Sequence, residues 1–446
     1  MSFNLPQAPV DLGGTVHVRY VRPAGSDASD GLSPATAWAT FVYACSQLMA
    51  YTKNGVQVID ITGIAERLPD NFKMPQVISD TQFLAWSPGF LAIAGAVTVH
   101  SDLVPFLTLA PGDISSITQD PTNFQDTINI TISLVPGVLK GKFVSQFGTQ
   151  IGVVKSNTDS SIEVTSSGLN SSFPITISDT GANLSSFGVT FGPTITIRNA
   201  LCSVLFEGIE LAAPQGSSPA LRVIAALYGV GVAACKVAGL SVTDTPDGME
   251  FLYIFYSYLL PSDGGFSAFD LPSPALVQNV FVDGLSLDYA DNFAGGAGIY
   301  FATCAFHGCG PLFGGNAEPL IGRGECSSCE ILNPTGPAFQ MQGQGIFIIN
   351  STTINGCASP CILANGPMAI YLNEIPAGTG NLAFGITAEE GANVEASATV
   401  LISGTSGDTS LGTLGATSWA AITAAANNRI SDFGANGDGS SIRRTP

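Results

Sequence analysis

A short strand-opening pattern recurs along this chain: a small residue, a proline, then two small or apolar residues. It appears as Ser218-Pro219-Ala220-Leu221, Ser273-Pro274-Ala275-Leu276, Gly310-Pro311-Leu312-Phe313, Gly336-Pro337-Ala338-Phe339 and Ser359-Pro360-Cys361-Ile362. The last three prolines stand 26 and 23 residues apart, inside the roughly 20–50 residue period of solenoid repeats. Cys304 to Cys326 spans 22 residues and Cys309 to Cys329 spans 20. Runs such as Gly298-Ile299-Tyr300-Phe301 and Gly345-Ile346-Phe347-Ile348-Ile349-Asn350 read as short strands bounded by Gly and Asn turns. One winding of this kind cannot bury its own inward face, so the repeat requires that coils stack. A β-propeller is the competing architecture, but its blades run roughly 40 residues or more. The expectation is an all-β chain of stacked parallel coils.

The chain opens differently. Thr15-Val16-His17-Val18-Arg19-Tyr20-Val21 alternates as a strand, and Gly25-Ser26-Asp27-Ala28-Ser29-Asp30-Gly31 is a turn cluster. Ser33 followed by Pro34 is an N-cap with proline at the first helical position. Phe41, Cys45, Leu48 and Met49 fall at helical spacing, which predicts an amphipathic helix over 34–52. Val56-Gln57-Val58-Ile59-Asp60-Ile61 then returns to strand. This strand, turn, helix and strand resembles the opening of right-handed parallel β-helix proteins of the pectin-lyase-like class, a class that includes bacteriophage tailspikes and secreted polysaccharide-degrading enzymes. The motif, Tyr20 to Leu48, covers under a tenth of the chain. The resemblance implies a right-handed single-stranded parallel β-helix whose short N-terminal helix caps the open end. Tailspikes of this kind are usually trimers. A raw end of such a stack invites further strand addition, and a capping helix prevents it.

From about Pro111 to Gly188 the pattern changes to two-residue alternation, as in Thr127-Ile128-Asn129-Ile130-Thr131-Ile132-Ser133-Leu134. Strands of this sort joined by tight turns predict an inserted small antiparallel β-domain. The expected organisation is an extended lead over 1–14, a capping helix and first coils over 15–110, the insertion over 111–190, the main β-helix over 191–405, and a C-terminal helix and tail over 406–446. Ser418 is the N-cap expected for that last helix.

Charge narrows the function. Against 15 Lys+Arg stand 34 Asp+Glu, a formal charge of −19, and only 11% of residues are charged, where about 25% is usual. A chain with so few cations is expected to bind no nucleic acid. Its 45% hydrophobic content excludes an acidic disordered chain. The longest apolar stretch, Phe90 to Val99, is far below the roughly 18 residues of a membrane helix, and the N-terminus lacks a basic start and apolar core. The expectation is assembly in a host cytoplasm, residence on a virion, and no membrane partner.

Nine cysteines include three local pairs, Cys304/Cys309, Cys326/Cys329 and Cys357/Cys361. Four of these six could form a thiolate site, but the flanking segments are strand-like, which favours stacked buried thiols. No metal and no cofactor are expected.

Candidate site residues are few. Asp288 and Asp291 lie beside Tyr289 and Phe293, a pattern that could line a sugar groove, and Glu325 flanks Cys326. Hydrolysis wants two carboxyls about 5–9 Å apart. These are weak catalytic candidates, because each also reads as a solvated turn carboxylate. Tyr253 and Tyr256 belong to the aromatic run Met249 to Leu260, and alternation predicts that some of its rings lie on an outer face, for a subunit interface or for sugar stacking. The histidines His17, His100 and His307 are scattered. The function expected is a homotrimeric bacteriophage virion spike, on tail or capsid, partnered by other virion proteins and presenting a surface for host attachment. A surface-polysaccharide depolymerase and a capsid cement protein without glycan activity are the alternatives.

Overall fold

The computed structural model describes residues 16–51, 56–69, 72–74, 97–186, 195–198, 204–212, 219–224, 230–243, 252–260, 275–284, 298–313, 320–357, 361–366, 368–375, 378–381, 386–389, 392–396, 428–430 and 441–444. It is a parallel β-helix with an antiparallel sheet built into it. Two compact units are distinguished. The first comprises Met1–Ile117, Ile128–Val164 and Leu169–Phe266; the second comprises Thr118–Thr127, Thr165–Gly168 and Ser267–Pro446.

In the first unit, parallel strands form three ladders. One runs through Val16–Tyr20, Val56–Asp60, Val97–His100, Val204–Glu207, Val230–Ala233 and Leu252–Phe255. A second runs through Ala65–Leu68, Ala182–Ser186, Ile209–Ala212, Lys236–Ala238 and Tyr258–Leu260. A third joins Phe72–Lys73, Ile195–Arg198, Leu221–Ile224 and Leu240–Thr243. Pairing is in register, so like sits on like: Ile59, Val99, Phe206, Val232 and Ile254 form one fully buried column. Each such side chain contributes about 1.5–3 kcal/mol on burial, and none could be hidden without the coil above it.

The second unit repeats the plan. Ala275–Gln278, Gly298–Ala302, Leu320–Ser327, Phe339–Asn350, Met368–Asn373 and Asn393–Ala396 stack in parallel. Phe281–Asp283, Ala305–His307, Glu330–Leu332 and Thr353–Asn355 form the neighbouring ladder. In its inward column Ile299–Gly324–Phe347, Gly324 leaves room for rings. A Cβ there would lie 2.7 Å from Phe347 Cδ1 and 2.8 Å from Phe313 Cε1. Phe313 in turn packs 5.7 Å from Phe301 and 5.9 Å from Phe339.

Corners explain why the ladders continue. Between the first and second ladders the chain turns through one left-handed residue: Gly208, Ala234 and Tyr256 in the first unit, Asn279, Thr303, Ser328 and Ser351 in the second. Left-handed backbone costs a non-glycine residue roughly 1–2 kcal/mol. It turns the corner N–H onto the next coil: Ala234 donates to the Phe255 carbonyl at 3.0 Å, and Thr303 to Ser327 at 3.0 Å. The residue after each corner faces inward, which is where Cys235, Ser257, Cys304, Cys329 and Thr352 stand, all buried.

The opening differs from the expected single helix over 34–52. Pro34–Thr36 is one 3-10 turn capped by Ser33, and the α-helix is Phe41–Tyr51. Trp38 interrupts because it bridges to Val21, and its indole donates to the Ser29 carbonyl at 3.0 Å. The Asp27 carboxylate accepts from Ala39 N, Thr40 N and the Thr40 hydroxyl. Glu66 receives the first helical amides, Phe41 N at 2.5 Å and Val42 N at 3.4 Å. The C-terminal helix expected from Ser418 lies outside the described residues.

The antiparallel sheet has the strand order Val104–Leu109, Ile175–Asp179, Phe143–Gln146, Thr149–Asn157, Ser161–Val164, Asp126–Ile130 and Ile114–Gln119. It has its own core of Leu109, Ile128, Leu139, Val144, Val154, Ile162 and Ile177. Within the first unit it is pinned to the β-helix by Asp179, whose carboxylate receives both Lys142 and Lys236. The two ends of the excursion meet: Gly181 packs so closely that a Cβ there would lie 1.8 Å from the Asp102 carbonyl oxygen.

Candidate functional site

His100 and Glu207 close neighbouring strands at the same register position, so both side chains emerge at one point of the outer surface. His100 Nδ1 lies 3.0 Å from Glu207 Oε2, and its Nε2 lies 3.3 Å from Asp102 Oδ1. Burial alone would lower the ring's pKa. The hydrogen bonds and charges of Glu207 and Asp102 outweigh it and hold His100 up at about 9. Near neutral pH the ring is therefore an imidazolium between two carboxylates, a trio of one net negative charge. The Asp102 side chain is 76% exposed and that of Glu207 44%, so each keeps acceptor capacity toward a ligand.

This trio forms one wall of a cleft of about 730 Å³ in the first unit. The antiparallel sheet has residues lining the same cleft. Its hairpin Phe143–Gln146 to Thr149–Asn157 turns through Phe147 at φ 56° and Gly148 at φ 72°. Two left-handed residues in succession make a turn that favours Asn, Asp or Gly at both places. A phenylalanine there is strained, and its ring is 70% exposed. It meets Phe173 edge-on at 4.6 Å, itself 42% exposed. Gln146 braces the pair, donating to the Asn170 and Phe173 carbonyls at 2.8 and 3.3 Å and accepting from Asn170 N at 3.1 Å. Strain held at an exposed ring beside a cleft points to a binding role. An apolar shelf facing a row of acceptors suits an amphipathic ligand that carries hydroxyl groups.

The expected site residues fare differently. Asp288, Tyr289, Asp291 and Phe293 lie outside the described residues. Glu325 stands on Leu320–Ser327, accepting from Ser327 Oγ at 3.2 Å, with Arg323 at 3.8 Å. Tyr253 and Phe255 alternate with the inward Ile254 as expected, but the face they occupy is covered: Tyr253, Tyr256 and Phe255 are 1%, 5% and 7% exposed. The Tyr253 and Phe255 rings stack at 6.1 Å, covered within the chain itself. Tyr256 still lines the cleft, at its left-handed corner. His307 ends a strand with Nε2 2.8 Å from Glu330 Oε1.

Neither the trio nor the phenylalanine pair is among the candidates the sequence offers. A signal exists in Val97-Thr98-Val99-His100-Ser101-Asp102 and in Val204-Leu205-Phe206-Glu207-Gly208. Each places a charged residue at a strand's last position, just before the corner.

The eight described cysteines are buried free thiols. Burial pushes Cys235 up to about 12 and raises Cys304 and Cys329 as well. Among the described residues no group of three or more His, Cys, Asp or Glu side chains is placed to hold a metal ion, and no helix is long and apolar enough to cross a membrane.

No family model and no curated protein matches the chain in sequence. Similar solved structures include a complex of XylC with xylose, at 10% identity and TM-score 0.23, covering 85% of this chain and 69% of that one. A glycoside hydrolase aligns at 8% identity and TM-score 0.24, covering 85% and 92%. The Gp54 tailspike of Acinetobacter baumannii bacteriophage AP22, in complex with A. baumannii capsular saccharide, aligns at 8% identity and TM-score 0.25, covering 80% and 63%.

Proposed function

We propose that this chain is a bacteriophage spike, a homotrimer carried on the tail or capsid, that attaches to host surface polysaccharide through the cleft beside His100. One observation carries the reading: an exposed phenylalanine pair, Phe147 of it in left-handed backbone, lines the same open cleft as the carboxylates of Asp102 and Glu207. The flat C–H face of a sugar stacks on aromatic rings while its hydroxyls donate to carboxylates. The strand, turn and helix opening, with the β-helix behind it, supports the placement among spikes. Adsorption of the full chain to host cells, compared with a Phe147→Ala/Phe173→Ala variant, tests attachment. Loss of at least about tenfold in affinity is expected, and unchanged adsorption by the variant overturns the cleft as the attachment site. Labelled electron microscopy of intact particles tests the location.

A depolymerase is the second reading, favoured by Asp102 and Glu207 sitting on opposite nitrogens of one ring. Glycoside hydrolysis uses a pair of carboxyls at the scissile bond, and here two of them share one wall of the cleft. It predicts release of reducing ends from host polysaccharide, abolished in Asp102→Asn. Particle binding without glycan affinity would instead favour a cement protein.

A further inference from the structure

Charge in the cleft sets which sugars it can take. No Lys or Arg lines it among the described residues. Its one cation, His100, has both ring nitrogens engaged by Asp102 and Glu207. The amides beside it donate within the chain: Gln146 Nε2 to two backbone carbonyls, and Gln150 Nε2 to the Gly152 carbonyl at 3.0 Å. The charged groups open toward a ligand are acceptors, a carboxylate 76% exposed and another 44% exposed, beside the neutral hydroxyls of Thr149, Thr176, Ser178 and Tyr256.

Resting on the reading of this cleft as a glycan site, we infer that it takes uncharged or amine-bearing sugar units and rejects units carrying a carboxylate or phosphate. A neutral hexose offers hydroxyl donors to Asp102 and Glu207, forming charge-assisted hydrogen bonds. A sugar carboxylate seated on the same shelf meets two carboxylates with no free counter-charge, and like-charge juxtaposition opposes its binding. The chain's formal charge of −19 adds a long-range bias in the same direction.

The test is calorimetric titration of the full chain with three oligosaccharide probes of matched length: a neutral glucan, a deacetylated glucosamine oligomer and a uronate oligomer. The neutral and amine probes are expected to bind at least about tenfold tighter than the uronate. In Asp102→Asn/Glu207→Gln this gap should close to within about threefold, because the repulsive groups are gone. Phe147→Ala separates specific seating from general attraction to an acidic protein, since only the former weakens. Tighter binding of the uronate, lost in Phe147→Ala, overturns the selectivity and leaves the glycan site standing. Failure of all three probes, or binding indifferent to Phe147→Ala, overturns the glycan reading and the inference with it.

Discussion

Glu207 sits one strand away from His100 at the same register position, and Oε2 of the one lies 3.0 Å from Nδ1 of the other. The contact joins residues 107 apart in sequence, because the antiparallel excursion is threaded between two adjacent rungs of a ladder. Asp102, the next charged group along the chain, takes the ring's other nitrogen.

That clamp gives stability a defined pH dependence. The folded pKa of about 9 exceeds the free-histidine value of 6.5, so folding is linked to proton uptake. The contribution is fully present below about pH 6.5, declines as pH rises, and is gone above about pH 9. The charged groups facing the ring are Asp102 and Glu207, and Tyr256 lines the same cleft. The shift corresponds to at most about 3 kcal/mol, reduced by the exposure of both carboxylates. Urea unfolding at about pH 6 and about pH 10 should show His100→Gln losing stability mainly at the lower pH. NMR titration should place the His100 midpoint well above the free value; a midpoint near 6.5 contradicts the clamp.

Gly324 makes a packing prediction. With a Cβ 2.7 Å from Phe347 and 2.8 Å from Phe313, Gly324→Ala forces rings in the inward column apart. Overpacking of this kind costs about 1–3 kcal/mol. Differential scanning calorimetry should show a lowered melting temperature, whereas Gly112→Ala, with open space around its Cβ, should leave it nearly unchanged.

The corner thiols should be inert while the chain is folded. The thiolate is the reactive form, and burial disfavours it at Cys235, Cys304 and Cys329. A brief iodoacetamide pulse followed by peptide mass spectrometry should leave these three unlabelled in native protein and fully labelled after denaturation. Native labelling of Cys235 would show that its corner opens.

The sequence carried the stacking of coils well and the cleft poorly. Three of the five proline motifs end in strand-opening residues, Leu221, Phe339 and Ile362, and in a fourth it is the residue directly after the proline, Leu312, that pairs with Phe339. Ser273 stands before Ala275, which opens a strand of a different ladder, so a local motif could mark a strand start but not which face it joins. The clean alternation from Thr127 belongs, as far as Ile130, to an antiparallel sheet because one face of such a strand meets its own core. The helix was overextended because periodicity ignores Trp38, whose bridge to Val21 is a tertiary contact. His100 and Glu207 looked unrelated because only the register brings them together. Alternation places half of the aromatic run outward but does not say what covers that face.

The meeting of Asp102 and Gly181 has a consequence for how such a protein can change. A segment whose ends touch can be exchanged for another, or lost, with the rungs on either side still able to pair. Phe147 and Phe173 ride on that cassette, while His100 and Glu207 belong to the spine it plugs into. Recombination at that one junction would give the molecule a new grip and leave its backbone scaffold unaltered.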